Sequence, residues 1–93
     1  MTELEKYIIS QLKQLVPDAD EFEVRANIGD KSYSMEFFAS IDGEKHQCYD
    51  MIDKGIFKEK DFDITVKRIA EYIRNCSEYH PGGINKFFFT AKV

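Results

Sequence analysis

KSYSMEFFASI, residues 31–41, is the stretch whose reading decides the fold. Tyr33, Met35, Phe37, Ala39 and Ile41 occupy its odd positions and are apolar. Ser32, Ser34, Glu36 and Ser40 occupy even positions and are polar, with Phe38 the one exception. Alternation over this length marks a strand with one buried and one wet face. Gly29-Asp30 before it and Asp42-Gly43 after it have the chemistry of two-residue hairpin turns. Both neighbours are therefore expected to pair with it, placing it at the centre of a sheet.

The preceding stretch, Phe22–Ile28, carries its apolar residues at even positions: Phe22, Val24, Ala26 and Ile28. A turn at Gly29-Asp30 would pair Ile28 with Lys31, Ala26 with Tyr33, Val24 with Met35 and Phe22 with Phe37. That register puts both apolar sets on one side, as a one-residue slip would not. The following strand is expected at about Lys45–Met51. A tight Asp42-Gly43 turn would pair Ile41 with Glu44 and direct His46, Cys48 and Asp50 inward. A bulged turn would instead bring Tyr49 and Met51 inward. The residues allow both.

Helices are expected on either side of this meander. Thr2 and Glu5 fit a capping box, and Leu4, Ile8, Leu12 and Leu15 follow at helical spacing, with Pro17 as the stop. Residues 3–16 are read as the first helix. MIDKGIFKEK reads as a connection with a turn at Gly55 and Ile56-Phe57 tucked onto the core. Phe62, Val66, Ile69, Ile73 and Cys76 then predict a second helix over about 61–78, with Lys67, Arg68, Glu71 and Arg74 on its outer face. His80-Pro81-Gly82-Gly83 ends it. The last strand is INKFFFTAKV, which sets Phe87, Phe89, Ala91 and Val93 opposite Lys86, Phe88, Thr90 and Lys92. Residues 1–93 thus predict one α+β domain: a two-layer αβββαβ sandwich with a mainly antiparallel four-stranded sheet and both helices on one face. The last strand could flank either edge of the meander.

Ninety-three residues suffice for one core. Apolar content of 43% with 32% charged residues is that of a globular chain. Cys48 and Cys76 lack zinc or redox-pair spacing and are expected as free thiols in a reducing compartment, the cytoplasm. No apolar run approaches the roughly 18 residues of a membrane span, and the first fifteen residues do not read as a signal peptide. The net charge of −4, with four carboxylates in PDADEFE, argues mildly against nucleic acid and mildly for a basic partner, while a balance of this size is also what solubility alone accounts for.

Catalytic and metal-binding patterns are weak. His46, Cys48 and Asp50 form H-x-C-x-D on one strand face, a set that would suit a nucleophile with its base or a metal. Spacing by two puts neighbours about 6.5 Å apart, too far for direct hydrogen bonds, and packing is the better account. The pairs Asp18/Asp20 and Asp61/Asp63 lie at exposed connections without an apolar pocket to raise a pKa, so they read as solvated. His80 and the glycines after it read as turn chemistry. No cofactor, metal or catalytic role is expected. Phe38 and Phe88 carry more weight. Both point to the sheet face expected to lack helices, where Tyr49 would join them in the tight register. Glu23, Arg25, Glu36 and Lys86 would ring them, as charged residues rim an apolar interface centre.

Four stretches in this order carry a resemblance: LKQLVPDADEFEV, KSYSMEFFASIDGEKHQCYDM, FDITVKRIAEYIR and GGINKFFFTAKV. Their layout resembles the small bacterial immunity proteins of polymorphic toxin systems, the YezG-type family. The resemblance implies a non-enzymatic inhibitor that binds and blocks a cognate secreted toxin, often a nuclease, and it transfers no residue's role. With the charge, it suggests an immunity or antitoxin-like protein that contacts a basic toxin through Asp18, Asp20, Glu21, Glu23, Glu36, Phe38 and Phe88. The alternative is a small homodimeric structural or regulatory domain that associates through its open sheet face.

Overall fold

The computed structural model describes residues 1–93. In chain order the elements are α1 (Glu3–Leu15), β1 (Glu21–Ile28), β2 (Tyr33–Ile41), β3 (Glu44–Gln47), α2 (Cys48–Asp53), α3 (Glu59–Arg74) and β4 (Asn85–Lys92). The sheet is antiparallel in the order β3-β2-β1-β4, so the last strand joins the β1 edge of the meander. The expected α+β architecture is present, with one short helix added between β3 and α3.

Helix α1 starts as its residues dictate. The Thr2 hydroxyl accepts from the Glu5 amide and the Glu5 carboxylate accepts from the Thr2 amide, which satisfies two donors of the first turn. Leu4, Ile8, Ile9, Leu12 and Leu15 form its buried stripe. Helix α3 buries Phe62, Val66, Ile69, Ala70 and Ile73, together with Thr65, whose hydroxyl donates to the Asp61 carbonyl. It begins two residues earlier than expected, which places Asp61 and Asp63 within the helix rather than in a connection. It also ends at Arg74, short of Cys76. The α1 and α3 stripes pack on the even residues of β1 and the odd residues of β2, where Phe22, Val24, Phe37 and Ala39 are fully buried. No helix is long and apolar enough to cross a membrane.

Both hairpins correct or settle the expectation. Ile28 pairs with Tyr33, not Lys31, and likewise Ala26 with Met35, Val24 with Phe37 and Phe22 with Ala39. The connection spans residues 29–32, so the register is displaced by two. An even displacement leaves every side chain on its expected face, which explains why Met35, Phe37 and Ala39 are buried as expected although the pairs differ, while Tyr33, at the end of the strand, is exposed. Gly29 does not adopt the left-handed conformation. A side chain there would meet the Ile84 Cδ1 atom at 3.0 Å, so close packing is what its lack of a Cβ serves. At the second hairpin the tight register holds, pairing Ile41 with Glu44. Asp42 (φ 50°) and Gly43 (φ 82°) both take the positive φ that such a turn requires.

The third strand stops at Gln47, four residues before the expected end. Cys48, Met51 and Ile52 recur at helical spacing, and the Gln47 side chain accepts from the Tyr49 amide, so the chain turns into α2. Cys48 and Met51 are fully buried. Gly55 makes a turn at φ 76°, after which Phe57 is buried while Ile56 stays exposed, so only half of that expected tuck forms.

Candidate functional site

The sheet face opposite the helices is built from odd residues of β1 and even residues of β2 and β4. The registers order it in rows. Lys45, Ser40, Glu21 and Lys92 lie side by side at one end. Gln47, Phe38, Glu23 and Thr90 form the next row, then Glu36, Arg25 and Phe88, then Ser34, Asn27 and Lys86. No helix covers this face, and Phe88 is 62% exposed on it.

Each aromatic ring here has a cation over it. The Arg25 guanidinium lies 5.1 Å from the Phe88 ring centroid, and the Lys45 ammonium lies 5.2 Å from that of Phe38. Such contacts contribute about 0.5–1 kcal/mol at exposed sites. They also shield apolar surface from water without burying it. Lys45 further pairs with Glu23 at 3.3 Å. Arg25 is flanked on its two neighbouring strands by Glu36 and Phe88. Phe38 and Phe88 stand two strands apart, roughly 10 Å, with the Glu23–Arg25 column between them. The expected single apolar centre with a charged rim is therefore two separate aromatic points, each topped by a positive charge.

Of the residues singled out from the sequence, the face gathers Glu21, Glu23, Glu36, Phe38 and Phe88. Asp18 and Asp20 lie apart, in the α1–β1 connection at the end of the sheet. That connection is held from the other layer, where the Lys13 ammonium donates to the Pro17 and Ala19 carbonyls, both at 2.7 Å. The face is not acidic, because Arg25, Lys45, Lys86 and Lys92 balance Glu21, Glu23 and Glu36. Tyr49 is absent from the rows. It sits on α2 with its ring edge-on to Phe62, centroids 5.7 Å apart.

The H-x-C-x-D set is not on one strand face. His46 lies in β3 opposite Ala39, its Nε2 3.8 Å from the Glu44 carboxylate, while Cys48 and Asp50 belong to α2. Burial pushes the Cys48 thiol up, favouring its neutral form, and Asp50 is exposed. No three His, Cys, Asp or Glu side chains come together as a metal-binding group.

A polar clasp at the other end of the sheet was not foreseen. Arg74, expected on the outer helix face, donates from Nε to the Gly29 carbonyl at 2.8 Å and from a terminal nitrogen to the Ser32 carbonyl at 3.2 Å. Its guanidinium also lies 5.7 Å from the Tyr33 ring centroid. Asp30 accepts from the Tyr79 hydroxyl and the Gly82 amide, and these bonds hold its carboxyl below the usual range. The Asn85 side chain accepts from the His80 amide and donates to the His80 and Ile28 carbonyls, tying the loop before β4 to the end of β1. The clasp consumes its polar groups internally and reads as structural.

No family model, curated protein or solved structure matches this chain.

Proposed function

We propose that this chain is a non-enzymatic, immunity or antitoxin-like inhibitor, which neutralises a cognate bacterial toxin in the cytoplasm by covering its working surface. The observation that carries the reading is Phe88, largely exposed beside Arg25 on a sheet face with no covering layer. Aromatic and arginine side chains are the groups that most often dominate the energy of a protein interface. Phe38 and Lys45 offer a second such pair. The cations over the rings would be shared with the partner's carboxylates or carbonyls, so the face suits a mixed-charge protein surface. Asp18, Asp20 and Glu21 at the end of the sheet would steer a basic toxin, such as a nuclease, through long-range attraction.

The test is surface plasmon resonance against the toxin encoded beside this chain's gene, at two salt concentrations. Phe88→Ala should raise the dissociation rate about 30-fold, the equivalent of about 2 kcal/mol for an anchor. Reversing Asp18, Asp20 and Glu21 should slow association and flatten its salt dependence. Wild-type binding by both variants, or no binding by the wild-type chain, overturns the reading.

A further inference from the structure

The two edges of the sheet differ. On one side β3 has only four residues, and α2 follows it directly. On the other, β4 runs for eight residues with no element beyond it. The Val93 amide donates to the Asp20 carbonyl, which sets the alternation of the β1–β4 ladder. The odd residues of β4 face β1 with their backbone groups. The amides and carbonyls of Lys86, Phe88, Thr90 and Lys92 therefore point outward along a free edge. Natural edges are usually blunted by charge, a bulge or proline. Here the lysines sit near the strand's two ends, and the middle is the uncharged triplet Phe87-Phe88-Phe89.

We propose that this edge docks the β4 of a second copy, the two strands running antiparallel about a two-fold axis at Phe88. The strand's own residues select that occupant and that register. Centred on Phe88, the pairing sets Phe88 against its counterpart on the open face, and Phe87 against the partner copy's Phe89, twice, on the helix face. Lys86 then meets Thr90. Aromatic cross-strand pairs of this kind are stabilising, and like charges directly opposite are destabilising. Centring on Phe89 would set Lys86 against Lys92, and centring on Thr90 would set Phe88 against Lys92. The Phe88 register pairs all three phenylalanines of each strand with phenylalanines of the other, keeps the charges apart, and makes about six interchain backbone hydrogen bonds, whereas centring on Phe87 sets Lys86 against Phe88. On the helix face the seam continues into a groove of about 280 Å³ between α1 and β4, lined by Leu4, Ile8, Phe87 and Phe89. A second β4 extends that apolar floor. The product is one continuous sheet of two copies, with α1 and α3 of both on the same side and both open faces largely free. It is thus distinct from a dimer that buries the open face.

Sedimentation equilibrium of the intact chain should give the mass of two chains. Thr90→Pro deletes one outward amide, a change edge strands tolerate. It should give the mass of one chain at the same concentration, with an unchanged circular dichroism spectrum. Phe88→Cys should form an interchain disulfide on mild oxidation, because paired positions about 5.5 Å apart at Cα fit that bond. Thr90→Cys should not, since its two copies lie roughly 13 Å apart in this register. A single-chain mass for the wild type overturns the proposal. So does a dimer that Thr90→Pro leaves intact, or cross-linking by Thr90→Cys as efficient as by Phe88→Cys.

Discussion

The two hairpin turns of the meander are built in opposite ways. The Asp42-Gly43 turn is local, since both residues take positive φ and a Cβ placed on Gly43 would meet no other part of the chain within 4 Å. The 29–32 turn has no positive φ. Its carbonyls are held by Arg74 and its Asp30 by Tyr79 and Gly82, groups more than forty residues away. One turn is specified by its own dipeptide. The other is specified by the fold that surrounds it, and reading it as a local Gly29-Asp30 turn displaced the register by two.

That contrast can be broken first at Arg74. Arg74→Ala removes two charge-assisted hydrogen bonds and a cation over Tyr33, and should cost about 2 kcal/mol in urea unfolding. Arg74→Lys should recover less than half, because an ammonium cannot reproduce the guanidinium fork. A loss no larger than that of an ordinary surface variant would show that the 29–32 turn holds itself. At the local turn, Gly43→Ala imposes a Cβ at φ 82° and should cost about 1 kcal/mol. That cost should add to that of Arg74→Ala, since the two turns share no partner. Tyr79→Phe removes the hydroxyl donor to Asp30 and should cost less than either, in the same urea titration, because the bond is solvent-exposed.

The smallest effect is one of pH. The Tyr79 hydroxyl, then the Gly82 amide, lower the Asp30 carboxyl in the folded state. A depressed carboxylate stabilises the fold above its unfolded value of about 4, and that contribution is lost as pH falls through the lower folded value. Asp30→Asn should therefore remove part of the acid-side slope of stability below about pH 4.

Period-two and period-3.6 patterns survive small errors of register and boundary, and this made the architecture legible. Met35, Phe37 and Ala39 are buried under either register because a shift of two preserves the face. Helix α2 was not legible as a helix. Its Cys48, Met51, Ile52 spacing lies inside a run that also alternates, and six residues are too few to separate the two periods. Phe38 and Phe88 were visible because each breaks its own strand's alternation. The cations over them were not, since Lys45 and Arg25 reach those rings from neighbouring strands. Likewise, the four acids of residues 18–23 lie close in sequence, but the connection parts Asp18 and Asp20 from the face that holds Glu23.

The placement of β4 beside β1 has a consequence for how the molecule folds. β1 and β2 can close their hairpin across a four-residue loop, while β1 meets β4 only after a loop of more than fifty residues has been closed. Loop-closure entropy favours the short connection first, so the β1–β2 hairpin with its covering helices should form the nucleus and β4 should dock late. Until it does, β1 has its own unpaired edge, a transient risk for association between chains. Substitutions in the core of the β1–β2 hairpin, such as Val24→Ala, should slow folding. Ala91→Gly in β4 should mainly speed unfolding, and stopped-flow chevrons of the two variants would reveal the order.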